Sequence, residues 1–180
     1  MRTVVTVSTI SRRRFLRAKF QPGNEPLRPP WAVGERLFAE ICTRCNACIT
    51  ACAAGILHTA SDGLPEVDFS RGECTFCAAC SAACRYGALA TPDATLPAWE
   101  IRAAISTGCL TRKGVMCTTC REHCATGAIS LQIDAGRVPM PYIDPQACTG
   151  CGACVAPCPA GSIHIVSKKA GVPARETSCI

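Results

Sequence analysis

The chain has 180 residues, a formal charge of +6, and 17 cysteines against only nine aromatic side chains. So few large apolar groups cannot fill an ordinary core of this size, and an odd cysteine count argues against a scaffold built from disulfides. Residues 145–167 lack Asp, Glu, Lys and Arg, yet Pro145, Pro157, Pro159 and several glycines break any lipid-facing helix, which excludes a membrane span there.

In chain order, residues 1–41 form a basic, cysteine-free N-terminal arm with eight Arg or Lys and three acids. Ser11-Arg12-Arg13-Arg14-Phe15-Leu16-Arg17 resembles a twin-arginine export signature. The apolar run of about 7–15 residues that such a signal needs is replaced by the polar stretch Ala18 to Glu25, so export is not expected and the cytoplasm is the expected location. Arg28-Pro29-Pro30-Trp31 reads as a docking element, because consecutive prolines stiffen the chain and present Trp31 at low entropic cost. A solvated basic tail is the alternative. Glu35 to Ile41, with Leu37, Phe38 and Ile41, reads as a short amphipathic turn.

Two cysteine arrays follow, Cys42, Cys45, Cys48, Cys52 and Cys74, Cys77, Cys80, Cys84, each spaced C-x2-C-x2-C-x3-C. Between them His58 to Gly63 is a polar turn, and Pro65 to Phe69 alternates like a half-buried strand. A proline-bounded break at Pro92 to Pro97 leads into Ala98 to Ile105, whose composition favours a helix; residues 97–108 are read as a connector. The third array is irregular, with Cys109, seven residues, then Cys117, Cys120 and Cys124. The turn Asp134-Ala135-Gly136 and a strand around Tyr142-Ile143 precede the fourth, Cys148, Cys151, Cys154 and Cys158, which ends in Pro159. A glycine stands three residues after the last cysteine of each array, at Gly55, Gly87, Gly127 and Gly161, with a small or apolar pair behind it. Four copies make an internal repeat, in which the glycine ends a helical turn and the pair begins a strand. Residues 166–180 are a polar tail, and Cys179 is a spare thiol.

The fourth array matches the bacterial iron-sulfur run C-x2-C-x2-C-x3-C-P, in which the fourth cysteine ligates the neighbouring cluster. The expected fold is therefore α+β: tandem bacterial-type two-cluster [4Fe-4S] ferredoxin domains, at 42–96 and 109–165, cored by clusters and dressed with short strands and helical turns. Crossing within each half gives four ligand sets. They are Cys42, Cys45, Cys48 with Cys84; Cys74, Cys77, Cys80 with Cys52; Cys109, Cys117, Cys120 with Cys158; and Cys148, Cys151, Cys154 with Cys124. Zinc is disfavoured, since its sites split four ligands between two knuckles. His58, His123 and His164 read as surface or packing residues. With four thiolates per cluster, the formal charge falls to about 2−, and the body beyond the arm to about 7−. Arg112, Lys113 and the Arg121-Glu122-His123 step set the third site apart, and nearby cations predict the highest reduction potential of the four.

Several segments together resemble the NapF family, ferredoxin-type accessory proteins of periplasmic nitrate reductase systems. They are Ser11-Arg12-Arg13, the Arg28-Pro29-Pro30-Trp31 segment, Cys42-Thr43-Arg44-Cys45-Asn46-Ala47-Cys48, the x7 spacing after Cys109 and Cys148-Thr149-Gly150-Cys151-Gly152-Ala153-Cys154. The resemblance covers about residues 8–165. It implies a cytoplasmic protein that binds the precursor of the nitrate reductase catalytic subunit NapA, through residues 11–31, and assists its maturation before export. The proline after the fourth cysteine is kept only at Pro159, with Ala53, Arg85 and Ala125 elsewhere. A plain electron relay between respiratory partners is the alternative. No nucleic-acid partner, no stable membrane insertion and no catalytic residues are expected.

Overall fold

In the computed structural model, residues 26–93, 97–133 and 138–168 are described; the Ser11 to Arg17 stretch, the 134–136 turn and Cys179 lie outside them. The elements are short because cysteine loops interrupt the chain before any helix or strand can lengthen. Helix α1 (Glu35–Ile41) buries Phe38 at 1 % exposure, and α2 (Ala47–Thr50) carries Cys48. Strands β1 (Leu57–Thr59) and β2 (Pro65–Val67) form an antiparallel hairpin with Leu57 opposite Val67, and α3 (Ala79–Ala82) carries Cys80.

The second half begins with β3 (Ile101–Ile105), followed by a 3-10 turn at Thr111–Lys113 and by α4 (Thr119–Glu122), which carries Cys120. Strands β4 (Ile129–Gln132) and β5 (Met140–Ile143) pair antiparallel, and β6 (Ile163–Ser167) returns to pair with β3, setting Ile105 opposite Ile163. The repeat is realised as expected. Gly55, Gly87, Gly127 and Gly161 all adopt φ between 55° and 75°, and Gly55, Gly127 and Gly161 donate their N–H to the carbonyl of the array's last cysteine at 3.0 Å. The pairs behind them, from Ile56-Leu57 to Ser162-Ile163, are buried.

Two expectations are corrected. Ala98 to Ile105 is not helical: residues 101–105 are β3, with Ile101 and Ala103 buried and their neighbours less so. Alanine-rich composition favours a helix locally, but Ile101, Ala103 and Ile105 repeat every second residue, and five backbone positions find partners along β6. Nor does Arg28-Pro29-Pro30-Trp31 stand free as a docking element. Arg28, Pro29 and Pro30 are buried, Trp31 donates its N–H to Ala98 O at 2.9 Å, and Ala32 bridges Leu89. This bridge occupies, in the first half, the position of the β3–β6 pair in the second.

Arg28 is the polar anchor of that segment. Its guanidinium donates to Glu35 at 2.8 Å, to Asp62 at 2.9 Å and to Pro65 O at 3.2 Å, and it lies over the Phe38 ring. Pairing with the two carboxylates, Glu35 foremost, pushes the guanidinium's affinity for its proton still higher. Arg28→Met is expected to destabilise the protein by about 2–3 kcal/mol, since the buried Pro65 carbonyl loses its donor while both half-exposed carboxylates can rehydrate. A denaturant midpoint measured anaerobically checks this.

The apolar core around Phe38, Leu64, Phe69 and Trp99 serves the first half. Among the described residues, the cluster that serves the second half has five buried members, two of them Cys120 and Cys154. An interior this thin requires another source of folding free energy.

Candidate metal centres

Three of the four cysteine loops share one backbone device. The residues flanking the middle cysteine are left-handed: Arg44 and Asn46 (φ 58° and 60°), Phe76 and Ala78 (55° and 59°), Gly150 and Gly152 (78° and 80°). Left-handed residues on either side of a cysteine turn successive N–H groups inward, forming a cradle for negative charge. Only the fourth array supplies this freedom with glycine. Arg44, Phe76 and Ala78 hold it against a penalty of roughly 1–2 kcal/mol each. The third loop replaces the device with its 3-10 turn and Gly114 at φ 80°.

The third cysteine of each array is buried: Cys48, Cys80, Cys120 and Cys154. Burial pushes the thiols of Cys48, Cys74 and Cys80 up to about 11 and that of Cys154 up to about 12, and raises Cys120 as well. The exposed Cys45 and Cys77 move the other way, held down by the backbone N–H of Ala47 and Ala79 and by the hydroxyls of Thr43 and Thr75. At neutral pH the buried thiols stay protonated unless a cation takes the proton's place, so cation binding here must release protons.

Cysteines from different arrays lie together in the fold. Cys42, Cys45, Cys48 and Cys84 line one cavity, and Cys109, Cys117, Cys120 and Cys158 line another. Cys80 lies within electrostatic reach of Cys74, Cys52 and Cys77. Cys154 lies near Cys151 and Cys148, and Cys124 packs in the same core. Among the described residues no three Cys, His, Asp or Glu side chains converge on a point that one metal ion would fill. Thiols around a cavity instead fit a polynuclear centre that meets each sulfur at its own corner. His123 and His164 are exposed and His58 is half-buried.

Hydroxyl neighbours of the sulfurs were missed in the sequence. Thr111 Oγ1 stands 3.2 Å from Cys109 Sγ, while Thr119 Oγ1 is 3.6 Å from Cys117 Sγ and Thr126 Oγ1 3.6 Å from Cys124 Sγ. A thiolate can only accept, so each hydroxyl becomes its donor once the thiol is ionised. The signal was present as Cys-x-Thr at Cys109, Cys117 and Cys124. Arg112 and Lys113, singled out for their charge, are exposed on the 3-10 turn. Backbone donors complete the set, with Phe76 N–H 3.4 Å from Cys74 Sγ and Ser162 N–H 3.3 Å from Cys158 Sγ.

The 4Fe-4S dicluster domain matches this chain twice, at residues 41–88 and 114–162. The chain is 40 % identical over 169 residues to the ferredoxin-type protein NapF of Haemophilus influenzae, covering 88 % of this chain and 95 % of that one. It is 39 % identical over 153 residues to NapF of Escherichia coli K12, covering 85 % and 92 %. It is 33 % identical over 167 residues to the methylamine utilization ferredoxin-type protein MauM of Paracoccus denitrificans, covering 81 % and 73 %.

Proposed function

Because the chain belongs to the NapF family of ferredoxin-type proteins, built on the 4Fe-4S dicluster domain, we propose that it assists maturation of the periplasmic nitrate reductase catalytic subunit in the cytoplasm, before export. The protein carries four [4Fe-4S] clusters. When bound, they supply one-electron chemistry. The chain's own residues hold them, shield them from water and aim N–H and hydroxyl donors at their sulfurs.

The observation that supports the four-cluster content is the crossing of arrays around the two cavities, with Cys84 completing the first array and Cys158 the third. We assign the second set to Cys74, Cys77, Cys80 and Cys52, and the fourth to Cys148, Cys151, Cys154 and Cys124, within dicluster domains at 42–96 and 109–165. Every set is then complete in thiolates, which leaves no open iron position for catalysis, so the protein acts as a carrier and not an enzyme. With Arg28 to Pro30 buried, recognition of the NapA precursor falls to residues 11–25. Anaerobic co-purification of the full chain and of a chain lacking residues 1–25 tests this. Loss of the bound precursor only on deletion supports an accessory role, and an unaltered partner set supports the plain electron relay.

The third site is proposed to have the highest reduction potential, since Thr111 and Thr119 lie beside two of its sulfurs and donors to sulfur favour the reduced state. Thr119→Val is expected to lower the potential of that site alone. A redox titration followed by electron paramagnetic resonance checks it, and an unchanged potential would remove the hydroxyl from the account.

A further inference from the structure

The chain runs first, second, third, fourth, but the contacts do not follow that order. Cys48 of the first set and Cys80 of the second are buried in one core, on α2 and α3. Cys120 of the third set and Cys154 of the fourth are buried in the other. The N–H of Cys74, in the second set, donates to the carbonyl of Cys151, in the fourth, at 2.8 Å. Beside that bond the Phe69 ring closes on Gly152, so tightly that an added Cβ would lie 2.0 Å from the ring, and Ile101 closes on Gly150. The glycines are needed here for close approach as well as for their left-handed backbone.

We propose that the four sites stand in single file in the order first, second, fourth, third, joined between halves through the Cys74–Cys151 backbone hydrogen bond. From Cys74 Sγ to Cys151 Sγ the path runs over the two cysteines' own bonds and this one hydrogen bond. Electron exchange weakens steeply with separation, so neighbours in the file exchange directly and non-neighbours do so through them. The first and third sites are then the two ends. Tyr86 is exposed at the first, as are Val115 and Met116 beside Cys117 at the third.

The order rests on the ligand sets assigned above, and the test separates the two. One variant deletes the end sites (Cys42→Ala, Cys45→Ala, Cys109→Ala, Cys117→Ala). Its complement deletes the inner sites (Cys74→Ala, Cys77→Ala, Cys148→Ala, Cys151→Ala). Each is counted for iron, fully reduced without oxygen and examined by electron paramagnetic resonance. An iron content of about eight per chain in both supports the ligand sets; a content far from that overturns them, and the order with them. With about eight irons present, the file predicts a spectrum split by spin–spin interaction when the inner sites remain and two independent, unsplit spectra when only the ends remain. Unsplit inner sites, or coupled ends, overturn the order. Should a fourfold variant fail to load, Cys42→Ala with Cys45→Ala alone decides the point. The second site then stays coupled through the fourth if the file is right, and becomes isolated if it is wrong.

Discussion

Gly152→Val is expected to break the joint between the two halves and to destabilise the protein by about 3 kcal/mol or more. At φ 80° a β-branched residue is strained before it meets anything. Its Cβ would then lie 2.0 Å from Phe69 Cδ1 and 2.3 Å from Cγ. The ring has no room to retreat, being 5 % exposed and set edge-on against Trp99 at 5.8 Å between centroids. Gly127→Ala is the control: that glycine is also left-handed, at φ 65°, but an added Cβ meets nothing within 4 Å, so only the backbone penalty of about 1 kcal/mol should appear. Unfolding midpoints of the two variants under anaerobic conditions separate the clash from the strain. Equal shifts would mean that the joint between Phe69 and Gly152 is loose.

Cys80→Ala is expected to lower the iron content from about sixteen to about twelve per chain, because a [4Fe-4S] centre that loses a buried ligand has no substitute at hand. Cys80 sits within reach of Cys74, Cys77 and Cys52, and so serves one set. Cys179→Ala should leave the iron count at about sixteen, since that cysteine belongs to no array. Iron and protein assays on both variants check the pair. A Cys80→Ala protein with its full iron content would remove Cys80 from the ligands.

The spacing of the cysteines announced the sites, since four copies of one array with a glycine three residues behind each leave little freedom in local structure. Phe38, Ile56 and Ile129 were equally legible as buried apolar positions next to ligands. What was not legible depended on partners distant in sequence. Arg28 to Trp31 is read as an exposed, stiff segment until Glu35, Asp62 and the 88–90 segment are brought against it. Ala98 to Ile105 is read as a helix until β6 supplies hydrogen bonds that outweigh alanine's preference. The hydroxyls of Thr111 and Thr119 carry no charge pattern to mark them, whereas the charged Arg112 and Lys113 are exposed to solvent. The Cys74–Cys151 contact joins residues 77 positions apart, and no local pattern foretells it.

The central claim is that iron-sulfur centres stand in for the interior that so few large side chains cannot build. The most direct measurement strips iron from the anaerobically purified protein with a chelator while following visible absorbance and far-ultraviolet circular dichroism together. The account predicts that colour and ordered backbone disappear in step and return together on reconstitution with iron and sulfide. A colourless chain that keeps its dichroism and still unfolds cooperatively would contradict it.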